Sequence, residues 1–436
     1  MEFIIELNSL IWGKWMIILL LFSGVYLTFK TGFIQFVKFR YMIKNTVFKM
    51  FEKREKQKIG VTPFQAMSTA LAGTIGTGSI VGIATSITLG GPGSVFWMWI
   101  SGILGMATKY SEILLSVHFH EKNSEGNYIG GPMFYIEKAV KKRWLAIMFS
   151  IFAVCASFGM GNTVQSNAIS GVLYEEVGIS PWITGTVLCV ILTAVVFGGI
   201  GAISRVNEKL VPFMALFYIC CSIAVLCVNF EKIPSAFLLI FRNALTPRAV
   251  AGGALQYGFS RGIFSNEAGL GSAPMAHGSA NASHPSEQGL WGMFEVFFTT
   301  GIICTLTALV ILTSGLWETS SLDGALLSAN AFKNAIGNIG GIGVNIATVL
   351  FALSSIFGWA YYGEVCVEYL SHKSKKAVSY YRVIYVFFVF VGAVEGLNSV
   401  WSISEIINAF MAVPNLIAVI LLGNKVGEIT KHYFKK

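Results

Sequence analysis

The sequence predicts an all-α polytopic membrane protein with about eleven transmembrane helices, and three observations lead there. Of its 436 residues 54% are hydrophobic and only 12% charged, about half the charged share of a soluble domain. Stretches of about 20 residues with hardly a charge recur along the whole chain, the length that crosses a hydrocarbon layer roughly 30 Å thick. Lysine and arginine gather in the polar intervals between those runs, as expected of loops on the cytoplasmic side.

The crossing segments are read at 12 to 29, 62 to 89, 94 to 117, 144 to 173, 181 to 200, 208 to 229, 249 to 275, 288 to 314, 343 to 370, 380 to 397 and 402 to 423. With Glu2 and Glu6 where a secretory signal would be positive, and no small-residue cleavage site, the first segment is expected to stay in the mature protein. The next interval holds Lys30, Lys38, Arg40, Lys44, Lys49, Lys53, Arg54, Lys56 and Lys58, which makes it cytoplasmic. Alternate loops agree, through Lys122, Lys138, Lys141, Lys142 and Arg143, then Arg205 and Lys209, then Lys373, Lys375, Lys376 and Arg382, and finally the tail. The expected frame therefore has the N-terminus outside and the C-terminus in the cytoplasm, in the plasma (inner) membrane. The net charge of +9 is a topology signal, not a face for nucleic acid.

Other chemistry is sparse. Cys155, Cys189, Cys220, Cys221, Cys227, Cys304 and Cys366 all fall in apolar segments without the spacing of a zinc or redox motif. His118, His120, His277, His284, His372 and His432 fall at loops or segment ends, and no nucleophile or metal cluster lies at depth, so an enzyme is not expected. No obligate protein partner is evident; the expected surroundings are lipid.

Segments two and seven differ from the rest. Each is interrupted by glycine and polar residues, at Gly73-Thr74-Ile75-Gly76-Thr77-Gly78-Ser79 and at Arg261-Gly262-Ile263-Phe264-Ser265-Asn266-Glu267-Ala268-Gly269. They lie five segments apart, and an odd offset inverts the second copy of a repeat in the membrane. The chain then divides into an additional N-terminal helix (1–30), a basic cytoplasmic loop (31–61), a first five-helix repeat (62–229), an external connection (230–248), an inverted second repeat (249–423) and a basic cytoplasmic tail (424–436).

A helix unwound at membrane depth leaves amides and carbonyls that cost several kcal/mol each unless protein, water or a ligand completes them. The N–H end of a half-helix suits a carboxylate, and the carbonyl end suits an ammonium group or Na⁺. An amino-acid zwitterion offers both charges. Glycines at 73, 76 and 78 permit close approach of a ligand, or equally close helix packing; two breaks at matching positions favour the site. Ser354 and Ser355 in segment nine are candidate Na⁺ ligands or simply bond back to the preceding turn. Among polar residues at depth, Asn162, Gln165, Asn167, Glu295, Glu364 and Glu368 stand out, with Gln165 favoured because a neutral amide can meet a carboxylate. Lys109 and Glu112 are functional candidates as ionisable groups at depth, or, three apart on one helix face, simply pair with each other. Trp359, after Gly358, either walls a small pocket or packs as an ordinary aromatic residue.

These residues together resemble the alanine or glycine:cation symporter family, of LeuT-type fold with a 5+5 inverted repeat and one extra N-terminal helix. The resemblance runs over the whole chain and is carried by Gly76-Thr77-Gly78-Ser79-Ile80, Gly90-Gly91-Pro92-Gly93 with Phe96-Trp97-Met98-Trp99, Gly130-Gly131-Pro132-Met133, Gly161-Asn162 with Val164-Gln165, Phe264-Ser265-Asn266-Glu267-Ala268-Gly269, and Gly358-Trp359 with Tyr361-Tyr362-Gly363-Glu364. It implies a substrate pocket at Gly76, Thr77, Gly78, Gln165, Phe264, Ser265, Asn266 and Trp359. It also implies Na⁺ between the carbonyls of Ala72 and Ile75 and segment nine at Phe351, Ser354 and Ser355. Where the family usually has asparagine this chain has Ser79, which bears on ion count and substrate preference. The expected function is sodium-coupled import of a small neutral amino acid, glycine or L- or D-alanine, by alternating access, with Na⁺ as coupling ion and no cofactor. A proton-coupled or differently selective carrier of the same fold is the main alternative, ahead of a channel.

Overall fold

The computed structural model describes residues 11–51, 59–246, 253–319, 322, 324–395 and 398–435. Every expected crossing segment is helical over most of its described residues. The first is α1 (Lys14–Lys30). The second is split into α2 (Pro63–Thr74) and α3 (Val81–Gly90). Then come α4 (Ser94–Phe119), α5 (Arg143–Val177), α6 (Pro181–Val196) and α7 (Gly199–Val228). A short helix, α8 (Ile233–Ala244), precedes the second broken segment, α9 (Gly253–Asn266) and α10 (Ala273–His277). The chain closes with α11 (Pro285–Ser314), α12 (Gly324–Ile336), α13 (Asn338–Leu370), α14 (Lys375–Val394), α15 (Asn398–Leu421) and α16 (Gly423–Lys435). Two short antiparallel strands, β1 (Glu121–Lys122) and β2 (Tyr128–Ile129), form the loop after α4.

Several intervals read as loops are helical. The basic stretch after α1 holds helices at Ile34–Val37 and Phe39–Thr46; Met42 and Thr46 are buried four apart while Arg40 and Lys44 face out. The interval 230–248, read as a connection, contains α8, which buries Ala236, Ile240 and Ala244 at the same spacing. The basic tail is α16, burying Val426 and Thr430. Polar faces of this kind dilute any apolar run, so a search for membrane spans passes over them. Likewise α7 begins at Gly199 rather than 208, and Arg205 and Lys209 stand on its exposed side while Ile203, Asn207 and Val211 turn inward.

Six helices among the described residues are long and apolar enough to cross a membrane by themselves. Large apolar side chains stand exposed along the outer helices, including Ile18 and Phe22 on α1, Val187 and Val190 on α6, Phe213 and Leu216 on α7, and Val383 and Phe387 on α14. Such a belt has no place in water and fits a hydrocarbon solvent. By contrast, α4 is buried along most of its length and packs on both α9 and α11.

The helix pairs follow the offset of five. Segment four on eleven (α5 on α15) and segment nine on six (α13 on α7) are exchanged by swapping the halves; the pairs α4–α11 and α6–α14 map onto themselves. This is the contact pattern that a 5+5 repeat requires.

Candidate substrate and cation site

The first break follows from four residues. Thr62 caps α2 by accepting from the Gln65 amide while the Gln65 side chain accepts from the Thr62 amide, which fixes where the helix starts. The helix ends at Thr74, and Gly76 is extended (φ −110, ψ −160) before a single turn at Thr77–Ser79 leads into α3. The carbonyl end is met by α13. Ser355 Oγ donates to Ala72 O at 3.0 Å and Ser354 Oγ reaches the same oxygen at 3.3 Å, while Tyr362 Oη donates to Ala70 O at 3.2 Å. Gly358 allows that approach, since a Cβ there would lie 2.7 Å from the Gly73 nitrogen. At the amide end, Gln165 Oε1 faces the Thr77 N–H at 3.5 Å, and its Nε2 donates to Met160 O at 3.1 Å.

Gln165 reaches the break because α5 carries a π-helical turn at Gly159–Thr163. Within that turn Gly161 leaves its flank to Trp359, which packs against the bare backbone. Asn162 and Asn167 serve a different purpose. They donate to Tyr385 O at 2.7 Å and Gly392 O at 3.2 Å, tying α5 to α14.

The second break lies at residues 267–272, toward the end of the expected interruption: Arg261 to Asn266 are continuous helix. Glu267, Gly269 and Gly271 have φ of 54°, 90° and 81°, a region that glycine enters freely and glutamate only at a cost. Its polar groups are completed from within the protein. Lys109 Nζ donates to Asn266 O at 2.8 Å, the Asn266 side chain accepts from Ala268 N at 3.0 Å, and Asn415 Nδ2 donates to Gly269 O at 3.0 Å. Of the two readings of Lys109 and Glu112, the pairing with each other is not the one formed. Lys109 pairs with Glu295 at 3.2 Å, and Glu112 accepts from Asn415. Three residues along a helix bring two side chains near each other, but both point into a core with better-placed partners. His277, at a segment end as expected, is nevertheless fully buried and faces Glu295 Oε2 at 3.2 Å.

Between the breaks is a cavity of about 20 Å³. Of the residues expected there, Gly76, Gly78, Gln165, Phe264 and Trp359 line it. Thr77 adjoins it through its amide and keeps a buried hydroxyl without a partner. Ser265 and Asn266 point elsewhere, Ser265 Oγ to Ser79 Oγ at 3.3 Å and to Cys304 Sγ at 2.8 Å, and Asn266 Nδ2 to Thr300 at 3.0 Å. They stand on helix faces turned away from the cavity. Lining residues outside the implied pocket set are Met160, Glu267, Leu270, Asn408 and Thr74, together with Gly73, one of the three glycines read as permitting close approach. The Asn408 side-chain oxygen, Oδ1, is buried with no partner; no motif marks it, because it is one polar residue in an apolar run.

Beside the cavity, Ala72 O, Ser354 and Ser355 converge, and Ser354 also donates to Phe351 O at 2.9 Å. Ile75 is buried at the bend, and its amide is held by Leu71 O at 2.8 Å. Neutral oxygens of this kind suit a hard monovalent cation. On one side the cavity is roofed by Phe264, which lies against Trp401 with ring centroids 6.2 Å apart and beneath the Arg261 guanidinium, 5.7 Å from the ring centre. Arg261 is in turn paired with Glu405, to which Trp401 Nε1 also donates at 3.0 Å.

The model of the sodium:alanine symporter family matches residues 1–436. The chain belongs to that family. A sodium/alanine symporter, AgcS, of Methanococcus maripaludis is 41% identical to this sodium:alanine symporter family member over 437 residues, covering 98% of this chain and 95% of that one. A probable sodium/glutamine symporter, GlnT, of Bacillus subtilis is 37% identical over 435 residues, covering 98% and 90%. Among solved structures, MhsT in complex with L-phenylalanine superposes with a TM-score of 0.64 at 14% identity, covering 84% of this chain and 90% of that chain, a likeness of fold. The protein is thus a multi-pass membrane transporter of LeuT-type fold, and not an enzyme.

Proposed function

We propose that this chain imports a small neutral amino acid, alanine (L or D) or glycine, together with Na⁺, by alternating access. The observation that carries the reading is the cavity between the breaks, with an amide end at Gly76 to Gly78 facing Gln165 and a carbonyl end converging with Ser354 and Ser355. The substrate carboxylate lies at the amides of Gly76 to Gly78 and the Gln165 side chain, where the half-helix end favours an anion. Its ammonium group lies toward the carbonyls of Gly73 and Thr74, the Glu267 carboxylate and the open Asn408 oxygen. At about 20 Å³ the cavity has room for about one water, so Met160, Phe264 and Trp359 must move apart to admit any amino acid, and the smallest side chains ask least of them.

Na⁺ sits at Ala72, Ile75, Phe351, Ser354 and Ser355. Opening and closing of the Phe264 roof, with the Arg261–Glu405 pair over it, controls one side. The basic loops set the frame, with the N-terminus outside and the C-terminus in the cytoplasm of the inner membrane.

The test is uptake of labelled alanine into proteoliposomes with and without a Na⁺ gradient, against a panel of competing amino acids. Saturable, Na⁺-driven uptake, inhibited by glycine and by both alanine enantiomers but not by larger side chains, is expected. Uptake driven equally by a proton gradient in the absence of Na⁺ would favour the proton-coupled carrier, and competition by glutamine would move the selectivity.

A further inference from the structure

Around the second break, buried charged residues form one network that closes it. Lys109 on α4 and Glu295 on α11 are both 0% exposed and 3.2 Å apart. The ammonium also lies 2.8 Å from the carbonyl oxygen of Asn266, the last residue of α9. Glu295 Oε1 accepts from Thr74 Oγ1, in the last turn of α2, at 2.6 Å. Its other oxygen faces His277 Nε2 on α10 at 3.2 Å, and His277 Nδ1 lies 2.6 Å from Gln288 Nε2. The remaining carboxyls near the break have neutral donors, the Ser272 hydroxyl for Glu267 and the Asn415 amide for Glu112.

The two breaks are therefore completed differently. At the end of α2 the groups that reach the Ala72 carbonyl are hydroxyls, from Ser354 and Ser355, and the charged group touching its last turn, Glu295 at the Thr74 hydroxyl, is an anion and not a cation. At the end of α9, where a helix dipole also favours a cation, a lysine ammonium is already in place.

We propose that Lys109 is a built-in cation for the second break, filling at the end of α9 the position a mobile ion would otherwise take, so that each substrate crosses with a single Na⁺. The inference rests on the sodium-coupled reading above and adds the ion count. Glu295 keeps the tethered charge neutralised, since either partner alone would be a buried, uncompensated charge. The other cluster of small polar groups at the breaks is spent on itself. Ser79 and Ser265 bond to each other, Ser265 bonds to Cys304, and the Ser79 carbonyl accepts from Thr307 at 3.0 Å. A thiol is also a poor ligand for a hard cation.

The experiment measures alanine accumulation at static head in proteoliposomes holding the full chain, with the Na⁺ gradient varied and the membrane potential clamped. One Na⁺ per alanine is expected; two would overturn the proposal. Lys109→Met should convert a hyperbolic Na⁺ dependence into a sigmoidal one, with half-saturation raised about tenfold or more, because a mobile ion must now enter in place of the tethered one. An unchanged Na⁺ curve in that variant would overturn it as well. Lys109→Arg, which keeps the charge, should remain hyperbolic and guards against a methionine variant that fails to insert; a sigmoidal curve here counts against the idea. Alanine uptake indifferent to Na⁺ in the native protein would remove the sodium reading itself, and the count with it.

Discussion

Replacing Gly78 with valine tests the placement of the substrate most directly. A Cβ at this position would stand 2.9 Å from Phe264 Cδ1 and 3.0 Å from Cε1, closer than real carbon atoms pack. Phe264 cannot simply retreat, because the Arg261 guanidinium and the Trp401 ring both pack against it. The cavity, at about 20 Å³, has little room for the two further methyl groups. Overpacking of this kind costs about 1–3 kcal/mol, which as lost substrate affinity is about 5- to 150-fold. Gly78→Ala adds only the Cβ and should fall at the lower end. The assay is labelled-alanine uptake alongside the amount of correctly inserted protein, since the substitution sits at the cavity and leaves the lipid-facing helices alone. Uptake by Gly78→Val at the native rate and affinity would refute both the close Gly78–Phe264 approach and the substrate's position beside it.

Other consequences follow from the same geometry. Ser355→Ala removes a hydroxyl from Ala72 O and should raise the half-saturating Na⁺ concentration about tenfold, the effect of roughly 1.4 kcal/mol. Alanine affinity at saturating Na⁺ should move little, and uptake titrated against Na⁺ checks both. Trp359→Phe thins one wall and should admit side chains larger than alanine, read as new inhibitors in the competition panel. Asn408→Leu takes away the open oxygen and should raise KM for alanine while the Na⁺ dependence at saturating substrate is kept; an unaltered KM would place the ammonium elsewhere. Outside the membrane, Glu121 lies 3.0 Å from Lys138 and 2.9 Å from Lys373. Its partial burial pushes the carboxyl up, but the two lysines outweigh this and hold it below the usual range. The depressed value means this contribution to stability is complete above the ordinary carboxylate pKa and fades as pH falls through the folded one. Thermal unfolding in detergent should show Glu121→Gln losing up to about 1 kcal/mol at neutral pH and nothing in acid.

Hydrophobic length made the crossing helices legible, and glycine with polar residues at matched positions marked both breaks. Residues on a shared motif, such as Gly76, Gly78, Gln165, Phe264 and Trp359, do meet at the cavity. Failures have a common cause, which is that linear spacing does not say which way a side chain turns. Ser265 and Asn266 neighbour Phe264 in the chain, yet a helix rotates each residue about 100° from the last, and they face α11 instead of the cavity. Asn408 was invisible for the opposite reason, being a lone polar residue that only tertiary packing carries to the site. Lys109 paired across helices with Glu295 rather than along its own with Glu112, since a buried ion pair forms where desolvation can be repaid by further hydrogen bonds. The amphipathic helices at Phe39–Thr46, α8 and α16 lacked the continuous apolar run that identifies a span.

How the two ligands of the proposed cycle would sense each other is answered at Gly76. A Cβ built on this residue would stand 2.6 Å from Ser355 Oγ and 3.4 Å from Gln165 Oε1, so the group assigned to the cation and the group assigned to the substrate lie against the same stretch of bare main chain. Drawing Ser355 and the Ala72 carbonyl onto Na⁺ fixes the end of α2, and with it the direction in which the next amides, at Gly76 to Gly78, point. A substrate carboxylate that meets those amides already aligned need not order them itself, so its affinity rises with Na⁺ bound, and by linkage Na⁺ gains the same factor from the substrate, typically worth about 1–3 kcal/mol. A side chain at position 76 would wedge the two groups apart. Gly76→Ala should therefore weaken the dependence of alanine affinity on Na⁺ more than it weakens either ligand alone, and a double titration in which the two affinities stayed fully coupled would show that the signal travels by another route.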